Sequence, residues 1–178
     1  MRLFVAINFP DEVKAAVAAI RDGLKDTALR GNFTLDENLH LTLVFLGECD
    51  VRQTKEVKSV LDDTSFSAFT LMLETVGCFK RDGGNTWWIG LKDSKPLSVL
   101  QADLSECLNQ KGFVLENRKY TPHVTIGREV KMPAGFVQPE VRQIGFNVTN
   151  IELMKSERIN GKLVYTPVYA KKSTDTAR

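Results

Sequence analysis

The chain has 178 residues, 43% of them apolar and 26% charged, enough for one domain or two intimately joined lobes around a sizeable core. A net charge of +2 and a pI of 8.4 are too mild to imply nucleic acid by themselves, and they leave room for a local basic patch around an anion. No apolar run approaches the roughly 20 residues that span a bilayer. Cys49, Cys78 and Cys107 are widely spaced, and with only two His in the chain they argue against zinc and for a reducing cytoplasm.

Arg2 to Phe9 is β-branched and aromatic and predicts a strand. Its apolar stretch is short and runs into Pro10-Asp11-Glu12 without a small-residue cleavage site, so it is not read as a signal peptide. Pro10 and the two acids open a helix, with Val13, Val17, Ile20 and Leu24 on its core face. Gly31 lies in the loop that follows, and Phe33 to Asn38 lead into a strand from Leu39 to Leu46, ended by Gly47. Asp50 caps a second helix to about Asp63, with Val57, Val60 and Leu61 on one face. Phe69 to Val76 and Thr86 to Leu91 predict an antiparallel hairpin around the turn Arg81 to Asn85.

Ser94 and Pro96 start a third helix, striped by Leu97, Leu100, Leu104 and Leu108 and closed by Gly112. Phe113 to Asn117 lead into a second strand motif. Pro133 to Pro139 is a loop. Val141 to Val148, Ile151 to Met154 and Leu163 to Ala170 predict antiparallel strands, with Asn160-Gly161 as a hairpin turn between the last two. Lys171 to Arg178 is polar and reads as a frayed tail after a single domain over residues 1–170.

Both histidines fall in matching tetrapeptides, His40-Leu41-Thr42-Leu43 and His123-Val124-Thr125-Ile126. In a strand, residues i and i+2 share a face. Each motif therefore offers an imidazole and a hydroxyl on one side and anchors two apolar residues on the other. With 14 Thr in the chain, a Thr two places after both His arises by accident in roughly 0.6% of cases, which weighs against two ordinary strand histidines.

Facing motifs suit phosphodiester chemistry without a metal. One neutral imidazole takes a proton from the attacking oxygen, and a protonated one gives a proton to the leaving oxygen. Thr hydroxyls can donate to the non-bridging phosphate oxygens. A weak internal repeat supports the facing arrangement. Strand, Pro-led helix, Phe-x-Leu and His-x-Thr occur over residues 2–43 and again over 87–126. A module that binds a nucleotide or RNA end without turnover would not need an acid–base pair.

On these residues the chain resembles the 2H phosphoesterases, specifically the bacterial and archaeal RNA 2′,3′-cyclic phosphodiesterases, also described as 2′-5′ RNA ligases. The resemblance rests on Arg2-Leu3-Phe4-Val5-Ala6-Ile7, on His40 through Gly47, on Trp88-Ile89-Gly90 and on Pro122 through Arg128. It implies an α+β, bilobal, duplicated fold with two antiparallel sheets around a central cleft and helices outside. It implies metal-independent hydrolysis of an RNA 2′,3′-cyclic phosphate end to a 2′-phosphomonoester, reversible as 2′-5′ ligation, with no cofactor.

By the same resemblance His40 is the proton donor and His123 the acceptor, while Thr42, Thr125 and Arg128 hold the phosphate. Strict alternation puts Arg128 on the face opposite His123, unless a strand end or bulge at Gly127 turns it back. Gly127 departs from the Ala frequent in relatives. Tyr120 and Arg118 are candidate RNA contacts, with Lys119 beside them. Phe4, Phe45, Trp87 and Trp88 could stack on a base but suit core packing better, and Ser156 lies where it could line the cleft. The partners implied are an RNA with a cyclic-phosphate end or a cyclic nucleotide, with no membrane and no obligatory protein partner, for a cytoplasmic monomer. Alternative substrates are a small cyclic nucleotide or an ADP-ribose cyclic phosphate.

Overall fold

The computed structural model describes residues 1–174. Strand β1 (Arg2–Asn8) leads into helix α1 (Asp11–Thr27), strand β2 (Arg30–Phe33), a 3-10 turn (Asp36–Asn38) and strand β3 (His40–Glu48). Helix α2 (Val51–Asp63), the hairpin β4 (Phe69–Phe79) and β5 (Asn85–Leu91), helix α3 (Lys95–Gln110) and strand β6 (His123–Lys131) follow. Strands β7 (Ile144–Val148), β8 (Asn150–Ile159) and β9 (Lys162–Lys172) complete the chain.

The strands form two antiparallel sheets around a central cleft, in the orders β3-β1-β8-β9 and β2-β6-β5-β4-β7. The two His-x-Thr strands thus lie in different sheets, each beside a strand that precedes it in sequence. Helix α1 packs on the five-stranded sheet, against β2, β6 and β7, while α2 and α3 pack on each other and against β9 and β3.

The helices form where local chemistry directs. Asp50 and Gln53 make a reciprocal capping box, with bonds of 2.7 and 2.9 Å. Ser94 caps α3 through Leu97 N, with Pro96 in the first turn. The α3 stripe of Leu97, Leu100, Leu104 and Leu108 is buried as its spacing predicts, each leucine contributing about 1.5–3 kcal/mol. Leu3, Val5 and Ile7 of β1 join the same core, whereas Phe4 and Ala6 face the opposite way, into a small cluster with Met154 and Tyr165. Asn160 and Gly161 both have positive φ (50° and 79°) in the β8–β9 turn, the geometry for which Asn-Gly is suited.

Several boundaries depart from the sequence expectation. Arg30–Phe33, expected as loop around Gly31, is a strand because it adds to the edge of β6. Gly47 does not end β3; at φ +75° it passes the strand through a bulge to Glu48. Strand β4 runs on to Phe79, β6 to Lys131 and β8 to Ile159, each extended by ladder pairing that polar residues can share. Lys171 and Lys172 belong to β9 rather than to a frayed tail, and Ser173 and Thr174 N–H groups bond Thr149 O and Phe66 O. The rest of the expected tail, 175–178, lies outside the described residues.

Candidate active site

The two motif strands share a local design. His40-Leu41-Thr42-Leu43-Val44-Phe45 and His123-Val124-Thr125-Ile126-Gly127-Arg128 have the same burial sequence: half-buried, buried, half-buried, buried, buried, exposed. Alternation breaks at the fourth residue in both. Val5 and Ala6 of β1 pair with Val44 and Thr42, leaving Leu43 without an opposite number. Trp87 and Trp88 of β5 pair with Gly127 and Thr125, leaving Ile126 in the same position. Each is a β-bulge, and its effect is to return the sixth residue to the histidine face.

Arg128 is therefore on the cleft side, and its positive charge acts on His40, His123 and Tyr165 alike. Phe45 occupies the equivalent place in the first motif, with the Arg2 guanidinium 5.0 Å above its ring.

Each imidazole is fixed by the backbone two residues earlier. His40 Nδ1 donates to Asn38 O at 2.8 Å, and His123 Nδ1 donates to Thr121 O at 2.7 Å. A carbonyl can only accept, so the proton of the neutral ring sits on Nδ1 and Nε2 is left bare. His40 Nε2 then accepts from the Thr42 hydroxyl at 2.9 Å. His123 Nε2 has no hydrogen-bond partner among the described residues.

The surroundings differ. His40 lies between Phe4 (4.9 Å) and the edge of Tyr165 (5.1 Å). Burial is the largest cause that lowers its pKa to about 4; the Asn38 bond opposes this, and the charges of Arg128, His123 and Lys14 add to it. His123 meets the edge of Phe79 (5.2 Å) and lies 6.4 Å from Trp88. Its pKa is also lowered, by burial first and then by Arg128 and Arg118, against the Thr121 bond. Trp88 packs against Gly77 and Gly90, and a Cβ at Gly77 would collide with the indole.

The remaining sequence candidates separate. Tyr120 donates its phenol to Thr42 O at 2.9 Å and packs against the core. Arg118 is exposed and paired with Glu116 at 2.6 Å, with its charge still reaching His123. Trp87 is a core residue, 5% exposed, against Phe136. Lys119 is exposed, and Ser156 pairs in register with Arg2 and Tyr165. Asn38, Phe79 and Tyr165 were not foreseen. The Asn38 and Thr121 contributions are backbone carbonyls, which any residue supplies, and Tyr165 and Phe79 come from strands that carry no motif. Among the described residues, no group of three or more His, Cys, Asp or Glu is placed to hold a metal ion.

Comparisons with known proteins give the chain's family and fold. Residues 9–160 match the family model described as the 2′-5′ RNA ligase superfamily. The chain is 34% identical over 131 residues to the RNA 2′,3′-cyclic phosphodiesterase of Thermotoga maritima, covering 72% of this chain and 70% of that one. It is 29% identical over 172 residues to the protein of the same name from Escherichia coli K12, covering 94% and 93%. The crystal structure of E. coli LigT complexed with 3′-AMP superposes with a TM-score of 0.87 at 28% identity, over 98% of each chain.

Proposed function

The chain belongs to the 2′-5′ RNA ligase superfamily, and from that premise we propose that it opens RNA 2′,3′-cyclic phosphate ends to 2′-phosphomonoesters by a metal-independent, two-histidine mechanism. The relatives are named for cyclic phosphodiesterase activity, and this chain is an enzyme of that kind. The observation that carries the mechanism is the pair of Nδ1 tethers. They leave Nε2 of each ring as the atom that exchanges protons.

Water attacks the cyclic phosphorus in line with the leaving 3′ oxygen. His123, whose Nε2 is bare, accepts the water proton. The P–O3′ bond breaks and His40 delivers a proton from Nε2 to O3′, leaving the phosphate on O2′. To do so His40 must first become imidazolium, since its Nδ1 proton is committed to Asn38 O. Burial and the neighbouring charges of Arg128 and Lys14 resist that in the free protein. A bound phosphate anion reverses the balance by offsetting Arg128 and Lys14. The same proton frees the Thr42 hydroxyl from Nε2, so that it can turn to the phosphate beside Thr125 and Arg128. With a 5′-hydroxyl in place of water as the attacking group, the same ring opening would join the cyclic phosphate to a second RNA end through a 2′-5′ linkage, with His123 and His40 in the same roles. We place the protein in the cytoplasm, a reading supported by three free cysteines, and take it as a monomer with no obligatory partner. Among the described residues no helix is long and apolar enough to cross a membrane.

A short RNA ending in a 2′,3′-cyclic phosphate, incubated with EDTA, tests the proposal. A 2′-phosphate product that disappears in His40→Ala and His123→Ala is the expected result. A 3′-phosphate would reverse which oxygen leaves. Absence of turnover would turn the reading to a small-molecule cyclic phosphate.

A further inference from the structure

Two hydroxyls that the reaction does not use are arranged reciprocally. Thr34 lies six residues before His40, and its Oγ1 donates to the carbonyl of Thr125, in the second motif, at 2.9 Å. Tyr120 lies three residues before His123, and its phenol donates to the carbonyl of Thr42, in the first motif, also at 2.9 Å. The lead-in to each motif thus grips the middle of the other.

The accepting carbonyls are equivalent. Each belongs to the residue just before the bulged position, Leu43 or Ile126. A bulge disrupts the ladder locally, and a backbone carbonyl there needs another partner. Both donors are firmly seated. The Thr34 N–H bonds Ile126 O at 3.0 Å, and its own carbonyl accepts from Arg21 Nη1 at 2.6 Å. Arg21 is only 8% exposed and also holds Asp36 at 2.5 Å. The Tyr120 ring packs against the core, and burial pushes its phenol pKa up, so it remains a donor.

No backbone ladder joins the two motif strands, because β3 is the edge of one sheet and β6 lies inside the other. The Tyr120 bond crosses from the lead-in of β6 to β3, while Thr34 continues β2 beside β6 and so ties the segment that leads into β3 to the sheet of His123. We infer that Thr34 and Tyr120 form a cross-brace that sets the spacing of the two His-x-Thr strands, which makes them positioning residues for the acid–base pair. This rests on the reaction proposed above. The signal was invisible in the sequence, where Thr34 is an ordinary lead-in residue and Tyr120 reads as an RNA contact.

The test uses the whole chain with Thr34→Val, Tyr120→Phe, the double variant and Thr34→Ser. On the cyclic-phosphate RNA each single variant should lose on the order of 10-fold in kcat, less than the ~10² that a 1 Å misplacement can cost, with KM within about twofold. Thr34→Ser should keep wild-type kcat. The double variant should fall well short of the ~100-fold product of the singles, because both bonds guard one distance. Unchanged kcat in both singles, even with a lowered Tm, would overturn the brace. An imidazole NMR titration gives a readout independent of turnover. Thr34→Val and Tyr120→Phe should each move the His40 titration toward the ordinary histidine value, as the charges across the cleft recede. A His40 titration unmoved in both variants would overturn the brace even if the reaction proves to be another one. A wild-type protein inactive on this RNA, with the titration moved, would fail the reaction and keep the brace.

Discussion

The first-motif half of the site and the second-motif half are built on the same backbone plan and furnished differently. Both tether the imidazole Nδ1 to a carbonyl two residues earlier, bury the fourth residue at a bulge and turn the sixth residue into the cleft. Around His40 the cleft is closed, with Phe4 and Tyr165 on the ring and Thr42 on Nε2. Around His123, Nε2 is open and the sixth residue is Arg128 in place of Phe45. The backbone delivers two interchangeable imidazoles, and in the proposed mechanism their neighbours divide acid from base.

The largest effect should come from the histidines themselves. His40→Ala and His123→Ala should each lose on the order of 10²–10⁴-fold in kcat/KM. The residual activity of His123→Ala should no longer fall at low pH, and that of His40→Ala should no longer fall at high pH. Identical pH profiles for the two variants would erase the distinction between the halves. Next comes the sixth position. Arg128→Ala should lose on the order of 10² in kcat, as for other removed transition-state donors, whereas Phe45→Ala should leave kcat within about threefold because no charge is lost. Steady-state kinetics on the two variants decides it.

The difference in enclosure should also appear in stability. The folded His40 binds a proton only near pH 4, while the unfolded chain binds one near 6.5. The unfolded state thus takes up the proton first as pH falls. Stability is complete above about pH 6.5 and is lost through the window down to about 4, by about 3 kcal/mol. Urea unfolding at pH 7 and pH 4.5 should show this loss reduced in His40→Gln, and reduced less in His123→Gln. The smallest effect is expected at the floor of the second half. Gly77→Ala would force the indole of Trp88 aside and should cost about 1–3 kcal/mol, read as a lower Tm.

Much of this was legible in the sequence because two periods carried it. The apolar spacing of α1, α2 and α3 and the alternation of β4 and β5 reflect burial on one face, which composition records. His40, Thr42, His123 and Thr125 were legible for the same reason. Strand β2 was not, since Arg30 to Asn32 are exposed and become a strand only through β6. The direction of Arg128 was not legible either. It turns on one unpaired residue, Ile126, and a bulge depends on the register of a strand nearly forty residues away. The enclosure of His40 by Tyr165 is likewise a fact of the sheet, where β9 reaches the motif through β8 and β1.

The position of Trp88 gives the protein a built-in optical probe. Of its two tryptophans, Trp87 is sealed in the core, while Trp88 is half-buried beside Phe79, 6.4 Å from the His123 ring. An imidazolium quenches indole emission far more than a neutral imidazole does. The fluorescence of a Trp87→Phe variant would therefore follow the charge on His123 directly, and the occupancy of the cleft could be watched on unlabelled protein with unlabelled RNA.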